Sequence, residues 1–490
     1  MPKETYYDLL GIPRDATPEE IRHAYRERAH RLHPDKNLKP GDTELFIGMQ
    51  EAYDILIDPN QRQKYDSQLP VEAVTQYPLT MSATYSRESL VNMAEPQLIY
   101  VLLKLTANIN EEELPTPPLN ICLVLDCSTS MHGLRLDTIK LTAIELIRQL
   151  RNNDILSVVT FSDKANVIIP AGSRYHRFEI ESRIQHLQAS GGTEIYQGLA
   201  AGYSEVFRYR SKTHINHIIL ITDGRTYGDE EDCLKLVERA NSDGVGISTL
   251  GIGGQWNDVF LDTIASRTGG SCRFVSRAED LQHYVMEKIT KLSRSFAEQV
   301  TYRFQLPTSV ELRYAFQLNP EPTPLETTSP LIMGAVPRDA KHSILLELLV
   351  KDIPSNIKAC RLTQGYISYE IPAYPEPNRF NQRLLLTRPV KAELDTKPPP
   401  PPIVRAMTQL TLYRMQERAR QSLKKGDIQA ATQALQNLAS HLLTEGHTEL
   451  AQSVLDEVDQ IKQTQAFSEE GEKRLKYGTR SLLLTSRKDE

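Results

Sequence analysis

Two short constellations in this 490-residue chain are of residue types and spacing that could do chemistry. The first is Asp126-Cys127-Ser128-Thr129-Ser130, which closes the apolar run LNICLVLD. One carboxylate and two hydroxyls on alternate residues of a loop can converge on a single hard cation. Two later residues offer the same kind of donor: Thr193 in SGGTEIYQGL opens an expected helix, and Asp223 in IILITDGR ends another apolar run. Asp126, Ser128, Ser130, Thr193 and Asp223 are all oxygen donors, a set that suits six-coordinate Mg²⁺ or Mn²⁺, and no His or Cys arrangement favours zinc. The second constellation, His33-Pro34-Asp35, follows a basic helical stretch and opens the loop to the next helix. On its own the tripeptide reads equally well as a helix stop at Pro34. Neither group is an acid and base pair. Phosphoryl transfer from Asp126 would need a further carboxylate two residues on, where Ser128 stands, and the chain has no phosphate-binding G-x-x-x-x-G-K-[ST] loop and no nucleophile elbow. No enzymatic activity is expected.

The elements around these residues differ in texture along the chain. Thr17-Pro18-Glu19-Glu20 has the form of a capping box with Pro at the first helical position. In the helix that follows, Ile21, Tyr25 and Leu32 form a buried stripe, while Arg22, Arg26 and His30 fall on a basic face at four-residue steps. A second helix is expected from about Thr43 to Ile57, stopped by Asp58-Pro59, and antiparallel to the first. Strand-like alternation occupies 77–108. Between Leu119 and about Ser295 short apolar runs (ICLVLD, ILSVVTF, HIILITD, GISTLGI) alternate with amphipathic helices, the signature of a parallel sheet covered on both faces. Residues 298–390 return to strand runs consistent with an antiparallel sandwich, which the 77–108 strands would complete. The Pro398–Pro402 run is expected to act as a stiff spacer within a 391–402 linker, and 403–490 as a helical module.

The order YYDLLGI, ATPEEIRHAYRERAHRLHPDKN, EAYDIL and QRQKYD closely resembles the J-domain family over residues 1–70. That resemblance implies an all-α domain in which His33, Pro34 and Asp35 engage the ATPase domain of a DnaK-type chaperone and speed its ATP hydrolysis. Arg22 and Arg26 would dock electrostatically on an acidic patch of that partner. Glu27 departs from the prototype, which has a basic residue there. Over 119–295 the D-x-S-x-S, Thr and Asp set resembles the von Willebrand factor type A (vWA) domain, of the bacterial intracellular type, with its metal-ion-dependent adhesion site (MIDAS). The implied fold is an α/β doubly wound, Rossmann-like domain. Ser128 and Ser130 would contact Mg²⁺ or Mn²⁺ through hydroxyls, Thr193 directly or through water, and Asp126 and Asp223 would hold it, often through waters. An open position would accept a carboxylate from a protein client. Thr129 replaces the Gly common between the two serines.

Bulk properties fit a multidomain globular chain: 40% hydrophobic, 24% charged, and a formal net charge of -6, which disfavours nucleic acid as a partner. The N-terminus does not read as a secretion signal and no apolar run is long enough to span a bilayer, so a cytoplasmic protein is expected, not a membrane one. Five cysteines without CxxC spacing (Cys122, Cys127, Cys233, Cys272, Cys360) read as buried thiols. The functional expectation is a co-chaperone, targeted to a protein client through a metal-dependent site. The alternative is a vWA subunit of an AAA+ ATPase assembly of the MoxR or chelatase kind, with the J-domain as accessory. The KYGTR segment, Lys476 to Arg480, looks familiar from other intracellular vWA proteins.

Overall fold

The computed structural model describes residues 6–10, 18, 21–22, 25, 42–68, 77–93, 95–108, 114–173, 177–225, 228–353, 357–374, 378–393 and 397–483. The chain divides into two compact units, Met1–Gln76 and Tyr77–Glu490.

In the first unit lie helices α1 (Tyr6–Leu10), α2 (Asp42–Ile57) and α3 (Pro59–Gln68). Pro18, Ile21, Arg22 and Tyr25 are also helical. Tyr7, Leu10, Ile21, Met49, Ala52 and Leu56 form its core, and Tyr25 stacks on Tyr53 with ring centroids 4.3 Å apart. Asp58 separates α2 from α3 because its carboxylate caps the new helix, accepting from the Asn60 N–H at 2.8 Å.

The second unit begins with β1 (Leu79–Tyr85), β2 (Leu90–Val91) and β3 (Gln97–Ala107). An α/β domain follows: β4 (Leu119–Asp126), α4 (Leu134–Gln149), β5 (Ile155–Phe161), β6 (Ala165–Gly172), α5 (Arg177–Gln185), α6 (Ile195–Arg208), β7 (Ile215–Thr222), α7 (Glu230–Ser242), β8 (Gly246–Ile252), α8 (Asp258–Arg267), β9 (Cys272–Val275) and α9 (Asp280–Ser293). Its sheet runs β6-β5-β4-β7-β8-β9. Every residue of β4, β5 and β8 is buried, as continuous apolar strands covered on both faces must be. The sheet departs from the all-parallel expectation at its edge, where β6 pairs antiparallel with β5. The order reverses between β4 and β7, and at such a switch point the loops at the carboxyl ends of neighbouring strands part to leave a crevice.

The chain then returns to strands: β10 (Ser295–Gln305), β11 (Val310–Asn319), β12 (Thr323–Leu325), β13 (Leu331–Pro337), β14 (His342–Val350), β15 (Ala359–Glu370) and β16 (Arg379–Lys391). Together with β1 to β3 they make two five-stranded sheets, β1-β3-β14-β11-β12 and β13-β10-β15-β16-β2, around one apolar core. The α/β domain is thus inserted between β3 and β10. Pairing is antiparallel except for the two-residue contact of β2 with β16, Leu90 with Val390 and Val91 with Lys391.

Helices α10 (Pro401–Lys424), α11 (Ile428–Thr444), α12 (Thr448–Thr464) and α13 (Glu469–Ser481) complete the unit. The proline run is only partly a spacer, since Pro401 and Pro402 are already the first residues of α10, where a missing N–H costs nothing. Ile403, Ala406, Leu410 and Tyr413 of α10, with Leu483, pack on Leu102, Phe316, Leu318 and Leu345 of the sandwich. No helix among the described residues is long and apolar enough to cross a membrane. All five cysteines are free and buried.

Candidate metal centre

The loop that leaves β4 carries the oxygen donors, and the structure joins four of them in one hydrogen-bonded chain. Asp126 is fully buried: its Oδ1 accepts from the Ser128 N–H at 2.8 Å and its Oδ2 from the Thr222 hydroxyl at 2.6 Å. Ser128 Oγ and Ser130 Oγ lie 3.0 Å apart, and Ser130 Oγ donates to Asp223 Oδ1 at 2.6 Å. Thr193 comes from a third loop; a Cβ on Gly224 would lie only 2.8 Å from its Oγ1, so the residue after Asp223 must be this small. The five residues singled out from the sequence therefore surround the β4–β7 switch point.

That third loop is held in place by groups the sequence did not reveal. Gly191 adopts φ +81°, a left-handed conformation suited to glycine, and a Cβ there would strike Asp163 Oδ2 at 2.5 Å. Asp163 in turn accepts from the Gly192 N–H at 2.8 Å. Thr129, in the position where the resemblance suggests Gly, fits the loop: its N–H and its Oγ1 both donate to the Gly191 carbonyl, at 3.1 and 2.9 Å. The substitution ties the two donor loops together. Thr222 and Arg135 were also missed. Arg135, at the start of α4, donates from Nη1 to Asp223 Oδ2. No local pattern marks either residue, because each meets its partner only through the fold.

Electrostatically the site is a pair of buried acids, of which Asp223 is met by the Arg135 guanidinium. Burial pushes the Asp126 carboxyl up, the bonds from Ser128 and Thr222 pull it back, and neighbouring Asp223 pushes it up again. A divalent cation at the loop would favour the ionised form of Asp126. The donors are hydroxyls and two carboxylates, all oxygen, and among the described residues no group of three or more His, Cys, Asp or Glu could hold a metal by itself. A hard cation held here would have Ser128, Ser130 and Thr193 hydroxyls facing it, with the buried Asp126 carboxylate acting through water. With so few charged ligands it would stay electrophilic.

Of the residues expected to meet a chaperone, His33, Pro34, Asp35 and Arg26 lie outside the described residues. Arg22 is exposed beside fully buried Ile21.

Three family models match the chain: the DnaJ domain over 5–66, the von Willebrand factor type A domain over 120–291, and the Sll0103-like, C-terminal alpha-helical domain over 401–485. Over 331 residues, 66% of its length, the chain is 30% identical to the uncharacterized protein sll0103 of Synechocystis sp., of which it spans 78%. The chain belongs to the sll0103-like family. In this member the sll0103-like frame shares its chain with a DnaJ domain, whose 69 matched residues are 55% identical to the chaperone protein DnaJ of Ehrlichia ruminantium. That match takes in 14% of this chain and 18% of the DnaJ protein. A solved von Willebrand factor type A protein from Catenulispora acidiphila shares the fold, with a TM-score of 0.66 at 18% identity over 84% of this chain and 99% of its own. The architecture is therefore a DnaJ domain joined to an sll0103-like assembly of vWA domain, sandwich and helical tail.

Proposed function

We propose that this sll0103-like protein is a non-enzymatic co-chaperone of the cytoplasm that brings a DnaK-type chaperone to a protein client held at the metal centre. The observation that carries the reading is the presence, in one chain, of a DnaJ domain match and a separate unit whose Asp126, Ser128, Ser130 and Asp223 oxygens converge. His33, Pro34 and Asp35, with Arg22 and Arg26, engage the chaperone. Asp126, Ser128, Ser130, Thr193 and Asp223 hold Mg²⁺ or Mn²⁺, which accepts a carboxylate from the client. Support for the second half is the donor set itself: it leaves a bound cation short of negative charge and open to one more anionic ligand.

The test is an affinity capture from native lysate in Mg²⁺, comparing wild type, Asp35→Asn and the double variant Ser128→Ala with Ser130→Ala. A DnaK-type chaperone lost only with Asp35→Asn, and a different protein lost only with the serine changes, is the expected result. Capture of no chaperone by wild type, or an unchanged eluate from the folded serine variant, sinks the adaptor reading. An AAA+ ATPase in the eluate would replace it with the role of a subunit in such a machine.

A further inference from the structure

Arg135 is no oxygen donor, yet it is bonded to the oxygen cradle. Its Nη1 donates to Asp223 Oδ2 and, at 3.3 Å, to the Ser130 carbonyl. Its Nη2 lies 3.1 Å from where a Cβ on Gly253 would sit, and Gly253 has φ +66°, so the guanidinium is seated between the β4–α4 loop and the turn after β8. Asp223 is completely buried at its side chain, while Arg135 is 40% exposed. The two oxygens of Asp223 are thus divided: Oδ1 faces the serine hydroxyls, and Oδ2 faces a permanent cation. Both oxygens of Asp126, by contrast, are met only by neutral donors. Two carboxylates and one guanidinium leave the cradle a single net negative charge.

We infer that Arg135 sets the charge of this site, so that a divalent cation is held less tightly than two free carboxylates would hold it and keeps more positive charge for an acidic group on a partner. The inference rests on the metal reading of the cradle. Its consequences have opposite signs: removing the guanidinium strengthens the cation's hold and weakens the anion's, whereas loss of a residue that merely propped the loop would weaken both.

The experiment titrates full-length protein with Mn²⁺ alone, following the free ion by electron paramagnetic resonance, in wild type, Arg135→Gln, Arg135→Met, Arg135→Lys and the double serine variant. Thermal melts check that each is folded. Arg135→Gln and Arg135→Met bind Mn²⁺ about tenfold more tightly, the effect of one partly screened charge a few ångströms away, and Arg135→Lys stays near wild type. With Mn²⁺ saturating, both neutral variants retain polyglutamate less well than wild type. Unchanged or weaker Mn²⁺ binding in the folded neutral variants, while the serine variant loses the ion, overturns the role of Arg135 and spares the metal site. If neither wild type nor the neutral variants bind Mn²⁺, both readings fall. Polyglutamate retention that does not drop overturns the second half of the inference.

Discussion

Asp126 stays in the interior because a single hydroxyl, that of Thr222, satisfies its second oxygen. Thr222→Val keeps the shape and leaves a buried acceptor bare, which costs about 1–3 kcal/mol. Urea unfolding should show a loss in that range together with weaker Mg²⁺ protection against melting; an unchanged midpoint would mean another donor takes over. Glu298 gives a pH signature. Its Oε1 is shut away from solvent without a partner, and burial pushes its carboxyl from 4.5 up to about 7 against the pull of Ser295 and Lys288. The folded chain therefore keeps a proton that the unfolded chain loses above about pH 4.5, so this contribution to stability is complete at low pH and disappears as pH rises through about 7. Glu298→Gln should match wild type at about pH 4 and exceed it by about 1–3 kcal/mol at pH 8, read from denaturation at the two pH values. At this scale the sequence was legible where chemistry is local. Asp126, Ser128 and Ser130 lie within one loop, but Thr222 and Arg135 meet their carboxylates across 96 and 88 residues, a distance no spacing rule covers.

Among elements, α6 decides how closely the sheet is covered below the metal loop. Gly198 and Gly202 lie one turn apart on its inner face; a Cβ at Gly198 would come within 2.6 Å of Phe161 Cδ1, and one at Gly202 within 2.5 Å of Val124 Cγ2. Alanine at either position gains up to about 1 kcal/mol of helix propensity but overfills the core by about 1–3 kcal/mol. Gly198→Ala should therefore lower the melting temperature, and a rise would show that the helix can lift off β4 and β5 freely. The doubly wound class was readable from the buried strand runs, whose residues are apolar without alternation. The antiparallel edge was missed although its cue was present: only Ser162, Asp163 and Lys164 separate β5 from β6, too few for the crossover that a parallel pair requires. The sandwich was readable from alternation, but the two-residue β2 is too short to carry any.

At the scale of the whole molecule the helical tail is an anchor. Arg480 grips both oxygens of Asp262 at 2.8 Å, and Lys476 bridges Asp262 at 2.6 Å and Asp258 at 2.5 Å. Arg420 reaches Asp258 at 3.1 Å and Glu472 at 2.6 Å. Burial alone would push the Asp262 carboxyl up, but Arg480 and Lys476 overcome it and hold it well below the usual range. This stability is present above the ordinary Asp pKa and is lost as pH falls. Asp262→Asn strands the buried Arg480 and leaves Lys476 only Asp258, at a cost of about 3–5 kcal/mol. Limited proteolysis should then release the tail helices from a variant whose vWA domain remains folded, and equal protease resistance would contradict this account. The sequence singled out the KYGTR segment without showing what it grips, because the partners of Lys473, Lys476 and Arg480 are more than 200 residues away.

The insertion of the vWA domain between β3 and β10 also sets a timetable during synthesis. Strand β3, with Leu98, Ile99, Val101, Leu102, Leu103 and Leu105 in its middle, has β14 as its neighbour on one side, made about 240 residues later. At ribosomal speeds of about 5–20 residues per second, that edge waits roughly 10–50 s for its partner. The nascent chain thus carries a half-built sheet through the whole synthesis of the domain inserted within it.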